Sequence, residues 1–121
     1  MINVALFGFG RIGQMHAENL NKNKEIKLLY VYEKINQLCD KAKKLYGCKI
    51  EKDYNKIFND KKVDIVFICS PTNTHIRFIE EGMKRKKTIF CEKPLDLNIN
   101  KIIKILKKIK KIKPKIQLGF N

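Results

Sequence analysis

Ile2-Asn3-Val4-Ala5-Leu6-Phe7-Gly8-Phe9-Gly10-Arg11-Ile12-Gly13 is the stretch that decides the fold. An apolar run, broken only by Asn3, leads directly into glycines spaced G-x-G-x-x-G. Ile12, Met15, His16, Asn19 and Leu20 then recur at helical spacing, which predicts a helix over Arg11–Asn21. A glycine-rich turn between a buried strand and a helix has a physical use. Gly8 permits the tight turn, Gly10 lets the backbone approach a pyrophosphate, and Gly13 lets the helix pack close to the strand. The N–H groups of Arg11, Ile12 and the rest of the first helical turn are free to meet an anion.

The same alternation continues outward from this stretch. Ile26–Tyr32 reads as a strand and Asn36–Tyr46 as a helix with Leu38, Ala42 and Leu45 on one face, stopped by Gly47 as a C′ glycine. Cys48–Ile50 reads as a short strand and Tyr54–Phe58 as a short helix. Asp64–Cys69 and Thr88–Cys91 are strands, with a helix over Asn73–Arg85 between them, and Thr72 or Asn73 fits its N-cap. A helix over Asn98–Lys111 carries an apolar stripe of Ile99, Ile102, Ile103, Leu106 and Ile109, Pro114 breaks it, and Ile116–Phe120 is the last strand. The strands are apolar along their length rather than alternating, the pattern of a parallel sheet covered on both faces. The expectation is a doubly wound α/β sheet of about six strands with right-handed crossovers, in one domain over residues 1–121.

Composition narrows the function classes. With 44% hydrophobic residues the chain is globular rather than disordered. No apolar run approaches the roughly 18 residues that span a bilayer. The start lacks a basic leader and a cleavage site, so the expected location is the cytoplasm. Cys39, Cys48, Cys69 and Cys91 form no CxxC pair, and the two histidines, His16 and His75, stand far apart in sequence, which predicts free, mostly buried thiols and no metal site. The formal charge of +15 comes from lysines spread over every helix, while Arg, the residue suited to bidentate phosphate and base contacts, is scarce. That favours a solvated surface over a specific nucleic-acid site. The basic amphipathic stretch Lys101–Lys115 is read as a sheet-covering helix rather than a membrane segment.

Three further signals lie at strand ends. Glu33 stands twenty residues after Gly13, where a carboxylate accepts hydrogen bonds from ribose hydroxyls. A carboxylate there repels a 2′-phosphate and favours NAD over NADP, although Lys34 beside it offers a phosphate partner. Ser70-Pro71-Thr72-Asn73-Thr74-His75 ends the fourth strand near the topological switch point. Phe90-Cys91-Glu92-Lys93-Pro94-Leu95 ends the fifth on the same edge, and Lys93 is the candidate to bind a reacting hydroxyl and share its proton.

Together "GFGRIG", "MHAENL", Glu33, "SPTNTH", "FCEKPLDL" and "QLGFN" resemble the glucose–fructose oxidoreductase/inositol dehydrogenase family (Gfo/Idh/MocA), and within it the inositol 2-dehydrogenases. The resemblance runs from Ile2 to Asn121. It implies a Rossmann-type NAD-binding domain followed by a second, α+β domain that holds a polyol or sugar, mediates oligomerisation and supplies an aspartate and a histidine. It implies that Lys93 is the catalytic lysine and that Pro94 fixes its turn. Gly8, Phe9, Gly10, Arg11, Ile12, Gly13, Glu33, Ser70, Pro71, Thr72, His75, Glu92 and Lys93 would lie along the cofactor. The aspartate–histidine pair has no counterpart in these 121 residues, since His16 and His75 match neither role. The expectation is therefore the first domain of a dehydrogenase, truncated, which binds NAD weakly, does not turn over alone and self-associates through uncovered apolar surface. The alternative is a stand-alone NAD(P)-binding or regulatory module.

Overall fold

The computed structural model describes residues 1–119. It has the order β1 (Ile2–Phe7), α1 (Arg11–Asn21), β2 (Ile26–Tyr32), α2 (Asn36–Tyr46), β3 (Lys49–Glu51), α3 (Tyr54–Asn59), β4 (Ile65–Ile68), α4 (His75–Lys84), β5 (Thr88–Cys91), α5 (Ile99–Ile112) and β6 (Ile116–Leu118). The strands form one sheet in the order β3-β2-β1-β4-β5-β6, and every pairing is parallel. The chain therefore reverses its winding between β1 and β4, which opens a crevice at their carboxyl ends. The Phe120 end of the expected last strand lies outside the described residues.

Two apolar clusters hold the layers together. Leu6, Phe9, Ala17, Leu28, Val31, Ala42 and Cys48 join α1 and α2 to one face of the sheet. Phe7, Phe58, Phe78, Ile79, Ile89 and Ile105 belong to the other, where α3, α4 and α5 pack. Phe7 is its hub, with ring centroids 4.8 Å from Phe78, 4.9 Å from Tyr32 and 5.2 Å from Phe58. Gly13 lets α1 lie almost on the turn before it: a Cβ there would sit 2.0 Å from the Gly8 carbonyl oxygen. Gly8 takes φ +92°, and its own Cβ would meet the Cys69 carbonyl at 2.6 Å, so β1 and β4 close tightly beneath the crevice.

Three sequence expectations need correction. Neither Thr72 nor Asn73 caps α4. Thr72–Thr74 form a 3-10 turn, Thr74 is the N-cap without a side-chain cap bond, and its hydroxyl is taken by Pro71 O at 2.6 Å and Ser70 Oγ at 2.7 Å. The buried face of α5 is centred on Ile105, with Ile102 and Ile109 half-buried beside it, while Ile99, Ile103 and Leu106 are exposed. The short strand β3 runs one residue later than expected, because Lys49, Ile50 and Glu51 pair with Tyr30, Val31 and Tyr32 of β2. All four cysteines are free, and all but the half-buried Cys69 are buried. Among the described residues no helix is long and apolar enough to cross a membrane.

Candidate functional site

A crevice of about 650 Å³ opens over the carboxyl ends of β1, β4 and β5. Gly8, Gly10, Ile12, Glu33, Ser70, Pro71, Thr72, His75, Glu92 and Lys93 all line it, so strand ends distant in sequence converge. A second hollow of about 360 Å³ shares Gly8, Glu33, Ile35, Ser70 and Pro71 and extends past Tyr32, Asn73 and Arg77. Glu33 stands where the two meet.

The glycine turn is pinned from below. Gly8 N–H donates to the Tyr32 carbonyl at 2.9 Å. Phe9 N–H donates to Glu33 Oε1 at 2.8 Å, and Lys34 and Ile35 donate to Oε2 at 2.8 and 3.1 Å. Glu33 is thereby fixed at the end of β2, and its two oxygens still have acceptor capacity for hydroxyls. A Cβ on Gly10 would touch nothing within 4 Å, so the backbone at the start of α1 faces the open crevice. Those features fit a dinucleotide: free N–H groups for a pyrophosphate, and a carboxylate for a ribose.

Four of the expected residues sit differently. Phe9 is fully buried, its ring edge-on to Tyr46 at 6.3 Å, and it reaches the site only through its N–H bond to Glu33. Gly13 packs under Gly8 rather than lining the crevice, and Arg11 is exposed outside the lining. His75 borders the crevice, but both its ring nitrogens are engaged by backbone, Nδ1 2.8 Å from Pro94 O and Nε2 2.8 Å from Ser70 O.

Sequence reasoning missed Met15, Ile35, Leu38 and Cys69, which complete the lining, and Arg77, whose guanidinium lies 5.5 Å from the Tyr54 ring and 5.1 Å from Phe78. Ile35 carried a weak signal, an isoleucine two residues after the strand-end acid, and in the structure it is the N-cap of α2 and 57% exposed. Cys69 and Cys91 are no nucleophiles. Burial first, and then the Glu92 charge, push each thiol up to about 12, so both remain protonated near neutral pH.

Lys93 is exposed at the crevice and follows Glu92, whose Oε2 accepts the Lys93 N–H at 3.1 Å. Glu92 Oε1 accepts from His16 Nε2 of α1 at 2.8 Å, a contact across 76 residues of sequence. Residues 2–120 match the profile of an oxidoreductase family with an NAD-binding Rossmann fold, Gfo/Idh/MocA.

The chain belongs to the Gfo/Idh/MocA oxidoreductase family.

Its relatives in that family are informative about kind and extent. It is 37% identical over 122 residues to a myo-inositol 2-dehydrogenase of Thermotoga maritima, covering 99% of this chain and 36% of that protein. It is 34% identical over 120 residues to an inositol 2-dehydrogenase of Rhizobium meliloti, with the same coverage of both chains. The scyllo-inositol dehydrogenase of Lactobacillus casei, solved with bound NAD(H) and scyllo-inositol, superposes with a TM-score of 0.90 at 32% identity, covering 98% of this chain and 36% of that one. The chain thus spans just over a third of the length of the curated relatives it matches. The Gfo/Idh/MocA match and the six-stranded parallel sheet agree on an NAD-binding Rossmann domain.

Proposed function

We propose that this chain is the NAD-binding part of an oxidoreductase that oxidises a secondary alcohol of a cyclic polyol, with Lys93 at the reacting hydroxyl. The observation that carries it is the convergence of Gly10, Glu33, the Ser70–Thr72 loop and Lys93 on one crevice at the sheet's switch point. The N–H groups opening α1 would hold the pyrophosphate, and Glu33 the adenosine ribose, while Tyr32, Ile35 and Arg77 border the space beyond it. Bound NAD would supply the hydride acceptor. Lys93 would hold the substrate hydroxyl and share its proton. Glu33, with its carboxylate fixed by three N–H groups, disfavours a 2′-phosphate at the same place, which supports NAD over NADP.

Within the crevice the imidazole of His75 and the carboxylate of Glu92 are already bound by protein groups, and Glu33 stands at the ribose position. Residues 1–121 are therefore expected to bind NAD without turning over polyol by themselves, the remaining substrate groups coming from outside them. Isothermal titration with NAD and NADP tests the first part. NAD binding that outranks NADP by about tenfold is expected, equivalent to about 1.4 kcal/mol. A folded chain that binds neither overturns the reading. NADH formed from myo- or scyllo-inositol by this chain alone overturns the second part.

A further inference from the structure

The chain has two histidines, on different helices and 59 positions apart, and both reach the same three-residue turn. His16, on α1, meets the Glu92 side chain at 2.8 Å. His75, the first residue of α4, meets the Pro94 carbonyl at 2.8 Å and ties it to the Ser70 carbonyl on the neighbouring loop. Lys93 lies between these two tethered residues. We propose that His16 and His75 are a clamp that positions Lys93: one grips the residue before it through a carboxylate, the other the residue after it through the backbone.

The environment of each ring argues that its nitrogens, and not only its volume, matter. His75 is 2% exposed, and a purely space-filling ring there would leave the carbonyls of Pro94 and the half-buried Ser70 without this partner and bury no donor between them. A neutral imidazole donates to one of them and an imidazolium to both. The His16 side chain is 16% exposed, with Phe67 and Phe90 edge-on at 5.7 and 5.1 Å, so the ring plane is set by packing and Nε2 is aimed at Glu92. The far side of the Glu92 carboxylate is walled as well: a Cβ on Gly119 would come within 2.9 Å of Oε2. Glu92 therefore has one place to be, and its Oε2 accepts the Lys93 backbone N–H.

Lys93 itself is exposed, and no ion pair holds its ammonium among the described residues. Its reach is then decided by where its Cα is held. A displacement of about 1 Å at a reacting group can cost on the order of a hundredfold in rate. The clamp rests on the proposed function only for its purpose; the geometry it predicts is present without cofactor.

The test uses the whole chain, labelled with ¹⁵N. His16→Phe and His75→Phe keep an aromatic ring and remove the nitrogens; His16→Gln and His75→Gln return a side-chain amide. The clamp predicts that each Phe variant shifts the Glu92 and Lys93 amide resonances and weakens NAD by about tenfold, as for one lost hydrogen bond to a charged or buried partner. It also predicts that each Gln variant restores most of both. Unmoved Lys93 resonances in folded His16→Phe, or Gln variants no better than Phe, overturn it. Should His75→Phe fail to fold, Glu92→Gln with His16→Phe carries the same test at the His16–Glu92 end: coupled, non-additive shifts are expected, and additive ones overturn the clamp. Wild type that fails to bind NAD overturns the proposed function instead, because the resonance readout needs no cofactor.

Discussion

The two ends of the parallel sheet use polar groups in opposite ways. At the amino-terminal edge they close the structure on itself. Asn3 N–H donates to Asp64 Oδ2 at 2.8 Å, Asn3 Nδ2 to Lys62 O at 3.0 Å, and Lys87 Nζ to Asp60 O and Val63 O at 2.8 Å each. At the carboxyl edge Glu33, His16 and His75 also bind within the protein, yet a crevice of about 650 Å³ remains above them. The difference lies in the glycines. Gly8 and Gly13 draw β1, β4 and α1 together beneath the site, and Gly10 leaves open space above it. Polar groups at one edge support the fold; those at the other hold a shape that is open on one side.

The strongest way to break that contrast is to add one methyl at two glycines. Gly13→Ala places a Cβ 2.0 Å from a backbone oxygen that cannot move without α1, so a loss of at least about 3 kcal/mol is expected by thermal or urea unfolding. Gly10→Ala meets nothing within 4 Å, so its melting temperature should stay near wild type while NAD affinity falls. Equal destabilisation by both would erase the distinction between floor and wall.

Lys87→Met examines the closed edge alone. It removes two hydrogen bonds from a half-buried ammonium and should cost about 2 kcal/mol of stability with NAD affinity unchanged. Glu33→Ala is the reciprocal case: NAD affinity should drop about tenfold, read by titration calorimetry, and the preference over NADP should shrink.

The smallest effect is in pH. The Tyr30 hydroxyl donates to Asp60 Oδ2 at 2.7 Å, and that bond, followed by burial, raises the tyrosine to about 12 from its ordinary 10.0. A raised folded value means stability fully present below pH 10 and lost as pH climbs toward 12. The same bond is the main reason Asp60 is held below 3.8, so its contribution is present above that value and fades as pH falls through the lower folded one. Tyr30→Phe should flatten both limbs in a pH series of urea midpoints, with the crevice unaffected.

Much of this molecule was legible in one dimension because its signals are local. Continuous apolar runs predicted buried parallel strands, and β1, α1, β2, α2 and β5 begin and end at the residues expected. G-x-G-x-x-G at a strand–helix junction and Glu33 twenty residues on marked the crevice, since a tight turn and a strand-end acid are set by backbone sterics and spacing. Alpha-5 was less legible. Its seven isoleucine and leucine positions, Ile99, Ile102, Ile103, Ile105, Leu106, Ile109 and Ile112, wrap so far round the helix that periodicity allows more than one inward face. Packing chose Ile105 by placing the helix against α4 and the sheet. The histidines show the same limit in the site. Nothing local in "QMHAENL" or "TNTHIRF" says that both rings meet at Glu92-Lys93-Pro94, 76 and 19 residues away along the chain. The parallel sheet, the glycine turn and the strand-end acid could be read in one dimension, because each follows from neighbours in the chain. Which residues flank and hold the Lys93 turn emerged only on folding, because that depends on where the winding of the sheet brings α1 and α4 beside the end of β5.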